Sequence, residues 1–96
     1  MAYYRLNSKV EVSVEKVNGN ITKATIRKTN TEDSREYCDK TRAGIVAYFE
    51  DNPECGDSRR IAIKLDLSQA CVEQHIKALV MEGYLVDVTE EYELFD

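Results

Sequence analysis

An α+β fold is predicted by three observations: strand-like alternation near the front of the chain, helical periodicity through its middle, and a short alternating stretch at the back. Val10, Val12 and Val14 share one face of an extended segment, with Glu11, Ser13 and Glu15 on the other. Asn18-Gly19-Asn20 then signals a turn. A three-residue loop at positions 18 to 20 pairs Val14 with Ala24, Val12 with Ile26, Glu15 with Lys23 and Glu11 with Arg27. That register matches charge on the outer face, whereas a two-residue loop sets Val14 against Lys23. The three-residue loop is therefore expected. An isolated hairpin is marginal in water, so its Val/Ile face must cover the helical body, a second copy, or an extra strand from Tyr3 to Leu6.

The polar run from Thr29 to Ser34 punctuates the chain, and Asp33 with Glu36 three residues on has the form of a capping box. A helix is expected from there. Tyr37, Cys38, Thr41, Ile45, Val46 and Phe49 recur at helical spacing, and the stretch stops at Asn52 before Pro53. Asp57 or Ser58 then caps a short helix that carries Ile61, Ala62 and Leu65 inward. After a tight connection at Asp66-Leu67, Ser68 caps a further helix with Val72, Ile76, Leu79 and Val80 on one stripe, closed by Gly83. Two helices meeting at so short a turn make a helix-turn-helix. Leu85 to Val88 and Tyr92 to Phe95 alternate around Thr89-Glu90-Glu91, which predicts a two-stranded ribbon, or wing.

Ninety-six residues with 43% hydrophobic content close one core and exclude a multi-domain enzyme. Cys38, Cys55 and Cys71 are odd in number and widely spaced, so the thiols read as reduced rather than as disulfides or zinc ligands. His75 has no ligand-type neighbour at metal spacing and reads as a packing side chain at the edge of the core. Cys71 falls on the exposed side of its helix, but Glu73 nearby opposes thiolate formation and argues against redox sensing. Tyr37, Tyr48 and Tyr84 read as core. Catalytic residues, metal and cofactor are all expected to be absent, and no enzyme activity is expected. No apolar run is long enough to span a bilayer, and Met1 to Val10 lacks the apolar stretch of a secretory signal, so a cytoplasmic location without membrane attachment is expected.

The net charge of −5 is unevenly spread: seven cationic residues against five anionic ones up to Tyr37, then six against thirteen. An acidic back half weakens attraction to phosphate, because nucleic-acid affinity comes mainly from Lys and Arg displacing counterions.

The segment IAIKLDLSQACVEQHIKALVMEGYL, residues 61–85, resembles the helix-turn-helix of winged-helix transcription regulators of the ArsR and MarR type. Ile61-Ala62 matches the inward pair of the supporting helix, and Leu65 and Leu67 flank the turn. Ser68-Gln69 opens the recognition helix, and Glu82-Gly83-Tyr84-Leu85 leads into the wing. The resemblance is strong over about 25 residues and extends in outline to roughly 60, leaving the first 30 without a counterpart. Those first residues, 1–30, are expected from their alternation to be an N-terminal β-hairpin extension. The resemblance implies a winged helix-turn-helix domain over residues 31–96, with three helices plus the C-terminal β-wing.

By the same resemblance the chain is a sequence-specific DNA-binding transcription regulator. Gln69, Ala70, Glu73 and Gln74 face the bases, while Arg59, Arg60, Lys64, Ser68 and Lys77 contact phosphates. Glutamine is chemically apt for adenine, and Glu73 for a cytosine amino group. The wing departs from the pattern, offering Asp87, Glu90, Glu91, Glu93 and Asp96 where relatives present cations. Lys23, Arg27 and Lys28 on the hairpin are a further source of positive charge, and a homodimer on two half-sites of double-stranded DNA is expected. The alternative is a small acidic protein that binds and inhibits a basic protein partner through Asp87, Glu90, Glu91 and Glu93, as a viral inhibitor occupying a nucleic-acid-binding surface does.

Overall fold

The computed structural model describes residues 2–93, the last two by backbone alone. In chain order the elements are β1 (Tyr3–Leu6), β2 (Val10–Val17), β3 (Asn20–Lys28), β4 (Ser34–Tyr37), α1 (Lys40–Asp51), β5 (Gly56–Asp57), α2 (Ser58–Leu65), α3 (Gln69–Met81), β6 (Leu85–Asp87) and α4 (Thr89–Glu93). The strands form two antiparallel sheets, ordered β2-β3-β4 and β5-β1-β6. One buried cluster joins Ala24 and Ile26 of the first sheet, Tyr4 and Leu85 of the second, and Ile45, Phe49, Ile61, Val72, Ile76 and Leu79 of the helices.

The β2–β3 hairpin has the expected register: Val14 opposes Ala24, Val12 opposes Ile26, Glu15 opposes Lys23 and Glu11 opposes Arg27. Its loop differs. Asn18 and Gly19 form a two-residue turn with φ of 54° and 82°, the backbone twist that suits a tight hairpin. The odd residue is absorbed by a bulge between Glu15 and Lys16, where the Thr22 hydroxyl donates to the Glu15 carbonyl at 3.2 Å. The apolar face of the hairpin lies on α1 of the same chain. Tyr3–Leu6 is a strand, but it joins the other sheet instead of covering the hairpin.

The helix expected from Asp33 begins later. Residues 34–37 extend the hairpin as β4, with Arg35 opposite Ile26 and Tyr37 opposite Ala24. Both members of the supposed capping box are spent on β3 lysines: Asp33 lies 3.7 Å from Lys28 Nζ, and Glu36 lies 3.6 Å from Lys23 Nζ. Asp39 caps α1 instead, its carboxylate accepting from the Thr41 amide at 2.9 Å. The helix ends where the proline requires, with Asn52 as its last cap.

The expected ribbon after Gly83 is also corrected. Leu85–Asp87 is a strand, but its partner is β1, with Leu6 opposite Leu85 and Tyr4 opposite Asp87. The intended turn, Thr89-Glu90-Glu91, is helical and so is Tyr92, because the Asp87 carboxylate caps the turn by accepting from the Thr89 amide and hydroxyl. That bond also holds the Asp87 carboxyl below the usual carboxylate range. The Val88 amide and Thr89 side chain tie this corner to Tyr3. Leu94 and Phe95, the rest of the expected second strand, lie outside the described residues, as does Asp96.

Candidate nucleic-acid interface

The sequence around Asp57 fixes where α2 starts: the carboxylate, 5% exposed, accepts from the Arg60 amide at 2.8 Å. Ile61 and Ala62 are buried, and the helix stops at Asp66, which adopts a left-handed conformation with φ 56°. The Leu67 amide returns to the Ala62 carbonyl at 2.9 Å, and three residues connect α2 to α3. Ser68 then caps α3, its hydroxyl oxygen accepting from the Cys71 amide at 3.1 Å. Val72, Ile76 and Leu79 anchor α3 in the core, and Gly83, at φ 85°, ends it. Two helices at a tight turn are thus formed where the local signals placed them.

Polar contacts fix the attitude of α3 at three heights. Near its start, Glu73 accepts from the Ser58 hydroxyl at 3.1 Å, while Gln69 Nε2 donates to Ser58 Oγ at 3.3 Å and to Glu73 at 3.4 Å. At mid-length, Arg42 Nε donates to His75 Nδ1 at 2.7 Å. Burial and the Arg42 charge push the imidazole below its ordinary value, against an opposing pull from Asp39. Past the end, Tyr37 donates to Glu82 at 3.0 Å, with the Arg42 guanidinium over its ring at 5.4 Å. Burial and this bond push the Tyr37 hydroxyl up to about 12, keeping it a donor.

The side chains nominated by the sequence therefore divide. Ser68, Gln69, Ala70, Gln74 and Lys77 are exposed, whereas Glu73 is half-buried and engaged with α2. Ala70, Gln74, Lys77 and Met81 follow one another down α3 at spacings that put them on one face, opposite the buried stripe. Met81, 88% exposed, was not among the nominated residues, although its position four residues beyond Lys77 is a signal that finds it. Ile63 of α2, 73% exposed, was missed as well. Cys71 is half-buried at the flank of α3, and none of the three cysteines forms a disulfide.

Charge separates the surfaces further. The hairpin cations expected to supplement the interface are neutralised: Arg27 pairs with Glu11 at 2.8 Å, Lys23 lies 3.6 Å from both Glu15 and Glu36, and Lys28 faces Asp33. By contrast Arg59, Lys64 and Lys77 form no ion pair among the described residues. Arg60 lies 3.8 Å from Asp57, its one ion-pair partner among the described residues, and its side chain is 82% exposed. Asp87, Glu90 and Glu91 line a cleft of their own with Ala2 and Thr89, and the Glu93 side chain lies outside the described residues. Among the described residues no three His, Cys, Asp or Glu side chains group as a metal site, and no helix is long and apolar enough to cross a membrane.

Comparison with protein families, curated proteins and solved structures finds no match to this chain.

Proposed function

We propose that the chain is a sequence-specific DNA-binding transcription regulator of the winged helix-turn-helix class, with α3 as the helix that enters the major groove. The observation that carries the reading is the exposed Ala70-Gln74-Lys77 face of a helix held at three heights, flanked on α2 by Arg59 and Lys64, which have no carboxylate partner among the described residues. In this reading Gln74 offers its amide to adenine, and Ala70 leaves room for a thymine methyl. Gln69, exposed at the first turn but donating to Ser58 and Glu73, stands to the side of that face. Lys77, Lys64, Arg59 and Arg60 hold phosphates, and Ser68 retains a hydroxyl proton to donate to another. Glu73 sets the angle of α3 through Ser58 rather than meeting a base.

With no ribbon after α3 among the described residues, α2 and α3 carry the positive charge alone. A homodimer on two half-sites doubles that charge, as the reading requires. The test is selection of duplexes from a random pool at about 50 mM salt, followed by Gln74→Ala and Lys64→Ala binding. Gln74→Ala should relax sequence preference, and Lys64→Ala should weaken all duplexes alike. No retained duplex would end the reading.

A second reading rests on the cleft formed by Asp87, Glu90 and Glu91, whose carboxylates suit a basic protein partner. Glu90→Gln with Glu91→Gln should then slow association with a lysine-rich peptide, and an unchanged rate would exclude that surface.

A further inference from the structure

Beside α2 lies a groove of about 540 Å³ whose walls include Tyr3, Tyr48, Cys55, Arg59, Arg60 and Ile63. That volume suits a small ligand. Its walls are of two kinds. Tyr3, Tyr48 and Ile63 supply flat or apolar surface, Ile63 being 73% exposed. Arg59 and Arg60 supply charge, and Lys64 Nζ adds to it from 5.5 Å off the Tyr48 ring centre.

The one carboxylate in the wall, Asp57, is buried, caps α2 and lies 3.8 Å from Arg60 Nε, so two guanidinium groups against one carboxylate leave the groove net positive, with Arg59 its unpaired cation among the described residues. A ligand that uses both kinds of wall has a planar apolar body joined to a strong anion. Guanidinium groups match phosphate oxygens in pairs, and tyrosine faces accept nucleobases of any sequence.

We propose that this groove binds a nucleotide, its base against Tyr3, Tyr48 and Ile63 and its phosphate on Arg59 and Arg60. The nucleotide is free or is the end of a single strand. The site goes beyond the duplex reading, because bases stacked inside a duplex do not offer their faces to a tyrosine. It shares Arg59 and Arg60 with that reading, so nucleotide and duplex compete.

The experiment titrates adenosine 5′-monophosphate and, separately, a short single-stranded oligonucleotide into the full chain. It follows backbone amide shifts by NMR and alkylation of each cysteine by mass spectrometry. Shifts should centre on Tyr3, Gly56 and Ile63, and Cys55 should be protected while the exposed Cys38 is not. Arg59→Gln and Ile63→Asp, both at exposed positions, should each weaken binding about tenfold. Thermal melts confirm that they fold.

Tighter binding of the monophosphate assigns a free nucleotide, and tighter binding of the oligonucleotide assigns a strand end; either upholds the site. Adenosine or inorganic phosphate binding as well as the monophosphate overturns it, as do variants that bind like the parent. A glutamate-rich peptide that shifts these amides when neither nucleotide probe does would assign the groove to an acidic protein instead. A chain that binds the monophosphate in the groove but no duplex ends the duplex reading and leaves this one standing; the converse ends only this one.

Discussion

Arg42 of α1 donates from Nε to Nδ1 of His75 on α3, at 2.7 Å, so the imidazole must be neutral at that nitrogen to accept. The guanidinium is always charged and lies over the Tyr37 ring as well as against the histidine, while Asp39 acts on the imidazole in the opposite sense. Burial and Arg42 together put the folded-state pKa of His75 below the unfolded value of 6.5. The unfolded chain therefore binds the proton more readily. Stability from this contact is fully present above the unfolded pKa. It is lost as pH falls through 6.5 and on through the folded value. Melting temperature should thus decline between about pH 7.5 and 5, and His75→Gln, which keeps an acceptor but does not titrate, should lack that component. Identical pH profiles for the two proteins would refute the coupling.

Ser58 is 1% exposed, and its hydroxyl donates to Glu73 and so joins the first residue of α2 to the second turn of α3. Glu73→Ala leaves this buried donor without its acceptor and should cost about 1–3 kcal/mol. Ser58→Ala removes the donor and the need for it together, so Glu73→Ala should cost less in that background. A double-mutant cycle by urea denaturation should return a coupling of about 1 kcal/mol. Simple additivity would mean that the two side chains do not cooperate in setting the helix angle.

What was legible in the chain follows the range of the forces involved. Asp57, Ser68 and Gly83 mark helix ends through bonds to near neighbours, and each is found where local chemistry put it. The hairpin register was legible because a one-residue slip would expose Val12 and Val14 and mismatch Glu11 and Glu15. The loop was not, since a two-residue turn with a bulge at Thr22 yields the same pairing as a three-residue loop. β4 escaped because Asp33 and Glu36 are good capping residues until β3 offers them lysines. The ribbon failed for a comparable reason: β1, from the far end of the chain, takes the edge of β6. At the candidate site the exposed face of α3 was readable from periodicity. The inward use of Glu73 was not, because it depends on Ser58, which approaches only after the chain has turned.

Gly56 is required by its neighbours. A β-carbon there would lie 2.8 Å from Phe49 Cε1 and 3.1 Å from Tyr48 Cε1, and Phe49 is completely buried. Gly56→Ala should therefore destabilise the chain by about 1–3 kcal/mol through overpacking. It should also disturb the β1–β5 pairing, in which Gly56 opposes Tyr4. Denaturant midpoints measure the first effect and amide exchange at Tyr4 the second. An unchanged midpoint would mean that the aromatic pair yields freely.

The pattern of ion pairs makes the duplex reading testable cation by cation. Each phosphate contact contributes about 0.9 to the slope of log affinity against log salt, because its cation releases one condensed counterion. Arg59, Lys64 and Lys77 have no carboxylate partner among the described residues, so replacing any one with alanine should flatten the slope by about that amount. Lys23 and Arg27 are already matched by Glu15, Glu36 and Glu11, and Lys23 is held further toward its charged form by Glu15 and Glu36. Lys23→Ala and Arg27→Ala should leave the slope unaltered and act, if at all, on hairpin stability. Fluorescence anisotropy with a selected duplex from about 50 to 200 mM salt separates the two groups. Equal flattening by hairpin and helix variants would show that the paired side of the molecule faces the DNA, and α3 would then lose its assignment as the reading element.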